Sequence, residues 1–409
     1  MNLVAFSLAG HDVASCILKD GEVYEYLLED RQTGIKNDNN IIFSVKRVFE
    51  FHERYGIDHI IIANGSDEAI EILKSILLKY RMDKIPYTLD IWDHHLFHAA
   101  SGYYASGFDE SICLVMDGWG ADHRIHQIFG KMLKNTKISD EQIENLERAF
   151  ANVMFLETTT IYEASGRDIN QHYKSYLLPI PSSHEFCTYQ FPDEFIELFY
   201  SEESLDVNSA YDIGIMYGTI TRHLGWYRDE CGKTMGLAAY GNYNPDLPEF
   251  TFDNKLYANM NLFHSHRAIN LLNYPIMKHD GDFQKKADIA YKMQKCAEEA
   301  ILKRVRMIME KSPDTKNLVF SGGVALNICA NSCIKKEFPD LNVFIDPIAG
   351  DGCQAYGIAM HYYMNEFCDD EDWRPKKMET TYLGPRYNLK TLKAEIEYEV
   401  AKENLMSYN

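Results

Sequence analysis

The segment Asp93-His94-His95-Leu96-Phe97-His98-Ala99-Ala100-Ser101 sets His94 and His98 four residues apart. On a helix, positions i and i+4 share one face, so the two imidazoles could grip one metal ion. The same spacing also suits a helix N-terminus with polar residues near its cap. Asp117 closes the apolar run Ser111–Met116 and is followed by Gly118-Trp119-Gly120. A carboxylate there projects beyond a sheet, where α/β proteins hold ligands. Gly118 and Gly120 would let backbone N–H groups approach an anion closely. A plain Asp-Gly turn is the other reading. Asp351, in Gly350-Asp351-Gly352, precedes a helix and could close a site with His94, His98 and Asp117. Capping that helix is its commoner role. Two imidazoles and two carboxylates with no thiolate suit iron(II), manganese or zinc better than copper.

Further islands carry other chemistry. Ser321-Gly322-Gly323-Val324-Ala325-Leu326-Asn327 follows the apolar strand Asn317–Phe320 and opens a helix. Small residues there let a nucleotide lie against backbone and helix N-terminus. No GK[ST] follows, so this is not a Walker loop. Gly232-Lys233-Thr234-Met235-Gly236-Leu237-Ala238-Ala239-Tyr240-Gly241 offers Lys233 as a phosphate or substrate clamp, or as a solvated lysine at a helix–loop junction. His11-Asp12 sits between two strands, where spacing alone favours a plain hairpin turn; the pair could also face a bound nucleotide or act as a base. Arg31 and Lys36 could bind phosphate or be surface charges.

Two successive α/β patterns must position these residues. The first has strands at Leu3–Leu8, Val13–Leu18 and Glu22–Leu28, with a hairpin signal at Asp20-Gly21. A helix at Ile41–Tyr55, a strand at His59–Ala63, a helix at Asp67–Lys79 and a strand at Tyr87–Trp92 complete it. The pattern restarts at Ser111–Met116, with Arg124–Phe129 as hairpin partner and Thr158–Glu163 as third strand. Helices at Ala210–Leu224 and Ile289–Lys311 follow. Then come strand Asn317–Phe320, a helix near Ala325–Lys336, strand Asn342–Ile345 and a last helix after Gly352. The reading is a duplicated two-lobed α/β fold. The first lobe covers 1–105 and the second 106–377, with an insertion at about 131–208, and a tail covers 378–409.

Composition excludes several classes. The chain has 409 residues, 46% hydrophobic and 25% charged, which is a globular composition. No run approaches the ~18 apolar residues of a membrane helix. The N-terminus reads as a strand rather than a signal peptide. With 41 Lys+Arg against 61 Asp+Glu, the net charge is −20, which argues against broad nucleic-acid or anionic-membrane surfaces. Nine scattered cysteines without a CxxC pair fit a reduced, cytoplasmic setting.

Taken jointly and in order, these islands resemble the O-carbamoyltransferases of antibiotic and nodulation-factor biosynthesis. That family shares an ASKHA-type (actin/Hsp70/sugar-kinase-like) domain with the TsaD-like tRNA-modifying proteins. The resemblance runs from Gly10-His11-Asp12 and Asp20-Gly21 through Glu29-Asp30-Arg31, Lys36, the His94–Ser101 segment, Phe108-Asp109 and Asp117–Gly120. It continues through Gly232–Ala238 with Tyr240-Gly241, Ser321–Asn327 and Gly350–Gly352.

The resemblance implies a carbamoyl-adenylate, made from carbamoyl phosphate and ATP, bound between the lobes. It implies a divalent metal on His94, His98, Asp117 and Asp351: iron(II) first, with manganese, zinc or magnesium as alternatives. It implies that the metal polarises the mixed anhydride while an acceptor hydroxyl attacks the carbamoyl carbon and AMP leaves. His11, Asp12 and Lys233 are then the catalytic positions. Gly118, Gly120, Gly322, Gly323, Asn327, Arg31 and Lys36 bind the nucleotide. The alternatives are a TsaD-like tRNA threonylcarbamoyltransferase and a non-catalytic ASKHA nucleotide-binding protein.

The sequence departs from the family in two places. A YrdC-like domain, the adenylate-forming half, opens at Tyr382-Leu383-Gly384-Pro385-Arg386-Tyr387, but the sequence stops at Asn409. The expectation is a truncation, a degenerate enzyme or a YrdC-like partner chain. The insertion at about 131–208 is longer than the family pattern and carries Tyr162, Arg167, Asp168, His172, Tyr173 and Tyr176. These are expected to line an acceptor pocket; otherwise the segment is a surface elaboration, or an oligomer contact through Ser139–Ala151.

Overall fold

The computed structural model describes residues 1–8, 12–90, 93–118, 120, 122–124, 154–177, 205–208, 213–248, 250, 275–385 and 393. In the first sheet, β1 (Asn2–Ser7) pairs antiparallel with β2 (Ala14–Lys19), and β2 with β3 (Glu22–Leu28). On its other side β1 runs parallel to β4 (His59–Ala63), and β4 to β5 (Tyr87–Asp90), giving the order β3-β2-β1-β4-β5. Asp20 and Gly21 both take positive φ in the β2–β3 turn, as the Asp-Gly signal requires.

The second sheet repeats this layout. Its first strand, β6 (Glu110–Met116), pairs antiparallel with β8 (Met154–Ser165), and β8 with β9 (Asp168–Leu177). Parallel to β6 run β11 (Asn317–Ser321) and then β12 (Asn342–Ile345). A further strand, β10 (Leu205–Asn208), extends the sheet beside β9, and the short β7 (Asp122–Arg124) pairs with the far end of β8. The 3-2-1-4-5 order therefore occurs twice, which defines the duplicated two-lobed α/β fold.

The strand assignment in the second lobe needs correction. Thr158–Glu163 belongs to β8 and takes the second position, directly against β6; the third is β9. The expected hairpin partner at Arg124–Phe129 reduces to Asp122–Arg124 among the described residues. The physical reason is length: seven β6 residues, Glu110 to Met116, each find a partner on the 12-residue β8. Described parts of the segment read as an insertion, 154–177 and 205–208, are thus strands of the lobe itself. Its expected helix Ser139–Ala151 lies outside the described residues.

Helices fill the layers on either side. Among the described residues they are α1 (Glu29–Thr33), α2 (Ile42–Tyr55), α3 (Asp67–Lys79), α4 (His94–Ser106), α5 (Ile213–His223), α6 (Cys231–Ala238), α7 (Phe283–Lys311), α8 (Ile328–Glu337) and α9 (Gln354–Tyr362). The period-2 alternation of the strands assigns each face. In β1, Val4 and Phe6 pack outward with α2 and α3, while Leu3 and Ala5 face α4 and α9. In β6, Leu114 and Met116 pack with α5 and α7, while Cys113 and Val115 face the same central layer. Two sheets therefore enclose a shared layer in which α4 and α9 lie against one another. Every residue of α4 except Leu96 is buried, as a helix with sheets on both sides must be. Gly357 permits the crossing: a Cβ there would stand 1.9 Å from the Phe97 carbonyl oxygen.

Candidate metal centre

The first turn of α4 carries His94 and His98 into the junction of the two lobes. Their Nε2 atoms lie 3.2 Å apart. Asp117, directly after β6, points Oδ2 at them, 3.3 Å from His94 Nε2 and 3.7 Å from His98 Nε2. Asp351, in the short 3-10 turn Asp351–Cys353 that leads into α9, places Oδ1 at 3.4 and 3.3 Å from the same two nitrogens. One ligand atom from each of these four side chains lies within 4.8 Å of every other, and this is the sole such group among the described residues.

Backbone donors aim the carboxylate of Asp117. The N–H groups of Gly118 and Gly323 donate to its Oδ1 at 2.8 and 3.0 Å, which leaves Oδ2 for the histidines. Two glycines are required by space. A Cβ on Gly323 would stand 2.7 Å from Asp117 Oδ1, and one on Gly322, where φ is +91°, would stand 2.3 Å from the Met116 carbonyl oxygen. The Gly120 N–H donates to the Glu157 carbonyl at 2.8 Å, so β8 holds the turn from its other end.

Electrostatics follow from burying four ionisable groups together. Burial works against a charged imidazole at His94, yet Asp351 and Asp117 outweigh it and lift its pKa to about 9. At His98 burial is likewise overcome, by Cys353, Asp117 and Asp351, and the pKa rises well above the ordinary range. Burial would raise both carboxylates, and the two histidines instead hold Asp117 and Asp351 below their usual range. The quartet can balance its own charge only with protons on the rings; a divalent cation would serve in their place. Two convergent imidazole nitrogens, two convergent carboxylate oxygens and near-complete burial fit a borderline or hard divalent metal.

The remaining expected site residues are dispersed. Lys36 reaches across to Asp229 at 2.9 Å, and Lys233 pairs with Glu230 at 2.5 Å, so both cations meet the stretch 229–233. Arg31 is 76% exposed, with Asp30 as its nearby carboxylate. Asn327 caps α8 by accepting from the Ala330 N–H and donates to Gln294 Oε1, both at 3.0 Å. Asp12 adopts φ +60° in the β1–β2 connection. His11 and Trp119 lie outside the described residues.

The residues expected to line an acceptor pocket lie along β8, β9 and the turn between them. Tyr162 and Tyr173 are buried in the cores on opposite faces of the second sheet, and the Arg304 guanidinium lies over the Tyr173 ring. Arg167 donates to the Cys368 carbonyl, and His172 pairs with Glu163 at 2.9 Å. Asp168 opens β9 opposite Ser165, and Tyr176 lies in the same strand opposite Glu157.

Three supports were not legible in the spacing. His95 is buried beside the quartet, with its Nδ1 2.7 Å from Thr160 Oγ1, and burial drives its pKa down to about 3. Glu157 and Lys174 form a buried ion pair below Gly120. Gln354 donates to the His94 carbonyl at 3.3 Å and accepts from Asn64 at 3.0 Å, tying α9 to α4 and to the end of β4. Each meets its partner only once the strands are paired and the helices packed on them.

A repeated α/β half with a buried two-histidine, two-carboxylate group at the junction defines a two-lobed α/β scaffold with a candidate metal centre. The chain belongs to the carbamoyltransferase family: the family model described as "Carbamoyltransferase N-terminus" matches residues 68–360, which include all four residues of the centre. The nodulation protein NolNO of Sinorhizobium fredii is 22% identical over 406 residues, covering 92% of this chain and 49% of that protein. An uncharacterized protein of Synechocystis is 23% identical over 445 residues, covering 94% of this chain and 61% of its own. The chain thus spans about half the length of the curated relatives it matches. Among solved structures, HypF of T. kodakarensis aligns with a TM-score of 0.49 at 16% identity, over 89% of this chain and 47% of that one. No helix among the described residues is long and apolar enough to cross a membrane.

Proposed function

We propose that the protein transfers a carbamoyl group from carbamoyl-adenylate to a hydroxyl of a small-molecule, sugar or nucleotide acceptor. The observation that carries this reading is the buried His94, His98, Asp117 and Asp351 centre at the junction of two repeated lobes, within the stretch matched by the carbamoyltransferase model. These four residues would hold a divalent cation, iron(II) first among the candidates, which supplies Lewis-acid polarisation of the phosphate–carbamoyl anhydride. The chain's own groups do the rest. Gly118 and Gly323 fix Asp117, and Gly322 lets the backbone pass close to β6. Lys36 and Lys233 stand ready for phosphate, which would compete with Asp229 and Glu230 for them. Transfer forms a bond from the acceptor oxygen to the carbamoyl carbon and breaks the bond from that carbon to the phosphate oxygen. The acceptor proton leaves to a base at the His11-Asp12 position, and AMP departs. The adenylate would come from a YrdC-like domain or partner chain. The family match, together with a net charge of −20 that disfavours a broad RNA-binding surface, supports this transfer over a TsaD-like tRNA reaction.

The test is mass spectrometry of the protein with iron(II), carbamoyl-adenylate and a panel of hydroxyl acceptors. A mass gain of one carbamoyl group on an acceptor, with matching AMP release, is the expected result. Carbamoyl-adenylate left intact under every condition would contradict the proposal.

A further inference from the structure

One short turn of the chain grips both nitrogens of a single imidazole. Asp351, at the start of the Asp351–Cys353 turn, faces His98 Nε2 at 3.3 Å. Cys353, at its end, brings Sγ to 3.2 Å from His98 Nδ1. The turn is closed by the Cys353 N–H donating to the Gly350 carbonyl at 2.9 Å, so the carboxylate and the sulfur are set by the same few residues. Both Cys353 and His98 are fully buried, which leaves no water to replace either partner.

The sulfur has its own support. Ser101, one turn further along α4, is a neighbour of both Cys353 and the buried Asp346. Asp346 in turn accepts from Ser321 Oγ at 3.0 Å and from the Ile348 N–H at 2.9 Å. A buried polar chain therefore runs from the end of β12 through Ser101 to Cys353 and His98. Cys353 lies on the Nδ1 side of the ring, whereas the four convergent atoms lie on the Nε2 side. It does not share the cation position.

We propose that Cys353 is a positioning residue for the metal ligand His98: its sulfur accepts the Nδ1–H, fixing the tautomer that leaves Nε2 free for a cation, while Ser101 and Asp346 hold the sulfur in place. This rests on the reading of the quartet as a metal centre. The physical need is general. A ligating histidine keeps its ring orientation and tautomer through the hydrogen bond made by its other nitrogen, and removing that partner costs about 10–100-fold in metal affinity. Here a thiol fills a place more often held by a carboxylate or carbonyl. Sulfur is a weak acceptor, so a hydroxyl oxygen at the same place should serve as well.

The test uses cobalt(II) alone as the probe, with affinity read by competition against a chelator and geometry by the visible absorption of the bound ion. Cys353→Ala should weaken cobalt(II) binding about 10–100-fold. Cys353→Ser should recover most of that loss, and Ser101→Ala should fall between them. Melting of the metal-free proteins separates packing from positioning: the Ala and Ser variants should differ far less in melting than in affinity. Wild-type affinity and spectrum in Cys353→Ala would overturn the proposal while leaving the metal centre intact. Failure of the wild-type protein to bind cobalt(II) would overturn both.

Discussion

The two lobes share one layout yet contribute unequally to the centre. Each first strand ends at the junction: β1 is followed by Leu8, and β6 by Asp117. Leu8 is buried in the outer core with Val4, Phe6 and Ile70, whereas Asp117 turns inward to the histidines. The helices after the last strands also correspond. In the first lobe, α4 carries His94 and His98 within its opening turn. In the second, Asp351 stands just before α9, in the 3-10 turn that leads into it. The comparison teaches that duplication supplies four equivalent entry points to one buried spot. Three of them carry residues of the quartet, and at the fourth Leu8 packs into the outer core.

The largest expected effect tests the shared layer. Gly357→Leu would drive a side chain into the Phe97 carbonyl at the crossing of α4 and α9. Overpacking of this kind costs about 1–3 kcal/mol, and more where backbone is the obstacle. Urea denaturation should show that loss. An unchanged midpoint would mean that the two helices do not cross as closely as described.

Next comes a paired substitution at the second lobe's entry. Gly323→Ala would press on Asp117 Oδ1, whereas a Cβ on Gly118 meets nothing within 4 Å. Gly323→Ala should therefore weaken metal binding about 10–100-fold, as loss of an orienting contact does. Gly118→Ala should stay within a few-fold of wild type. Equal losses in the two variants would show that the glycines serve chain flexibility rather than the aim of Asp117.

Much of this was legible in the sequence because local rules carried it. The i,i+4 histidines announced one helical face, and Asp20-Gly21 announced its hairpin. Apolar runs leading into Asp117 and Gly322 announced strand ends at the junction of the lobes. The rest depended on tertiary stacking. Nothing in the spacing of Cys353 says that its sulfur will meet His98, because the contact arises from the crossing of two helices more than 250 residues apart. Nor does the spacing of Asn327 show that its amide will meet Gln294 and the first turn of α8. The strand after Asp117 was misplaced because alternation identifies a strand without naming its neighbour.

A smaller effect is expected at the lobe rim. Lys36 and Asp229 are 60% and 45% exposed, so their ion pair contributes about 0–1 kcal/mol. Lys36→Ala should barely change the melting temperature. It should raise the KM for carbamoyl-adenylate more than it lowers kcat, and added salt should narrow the difference between wild type and variant. A marked loss of stability with an unchanged KM would assign Lys36 to lobe attachment instead.

The most direct measurement is the metal content of the purified protein and of His94→Ala, His98→Ala, Asp117→Asn and Asp351→Asn, by elemental mass spectrometry after loading with iron(II). The structure predicts about one ion per chain in the wild type and loss of bound metal in each variant, with folding retained by circular dichroism. Full occupancy in all four variants, or none in the wild type, would contradict a centre assembled from the matching ends of two repeated lobes.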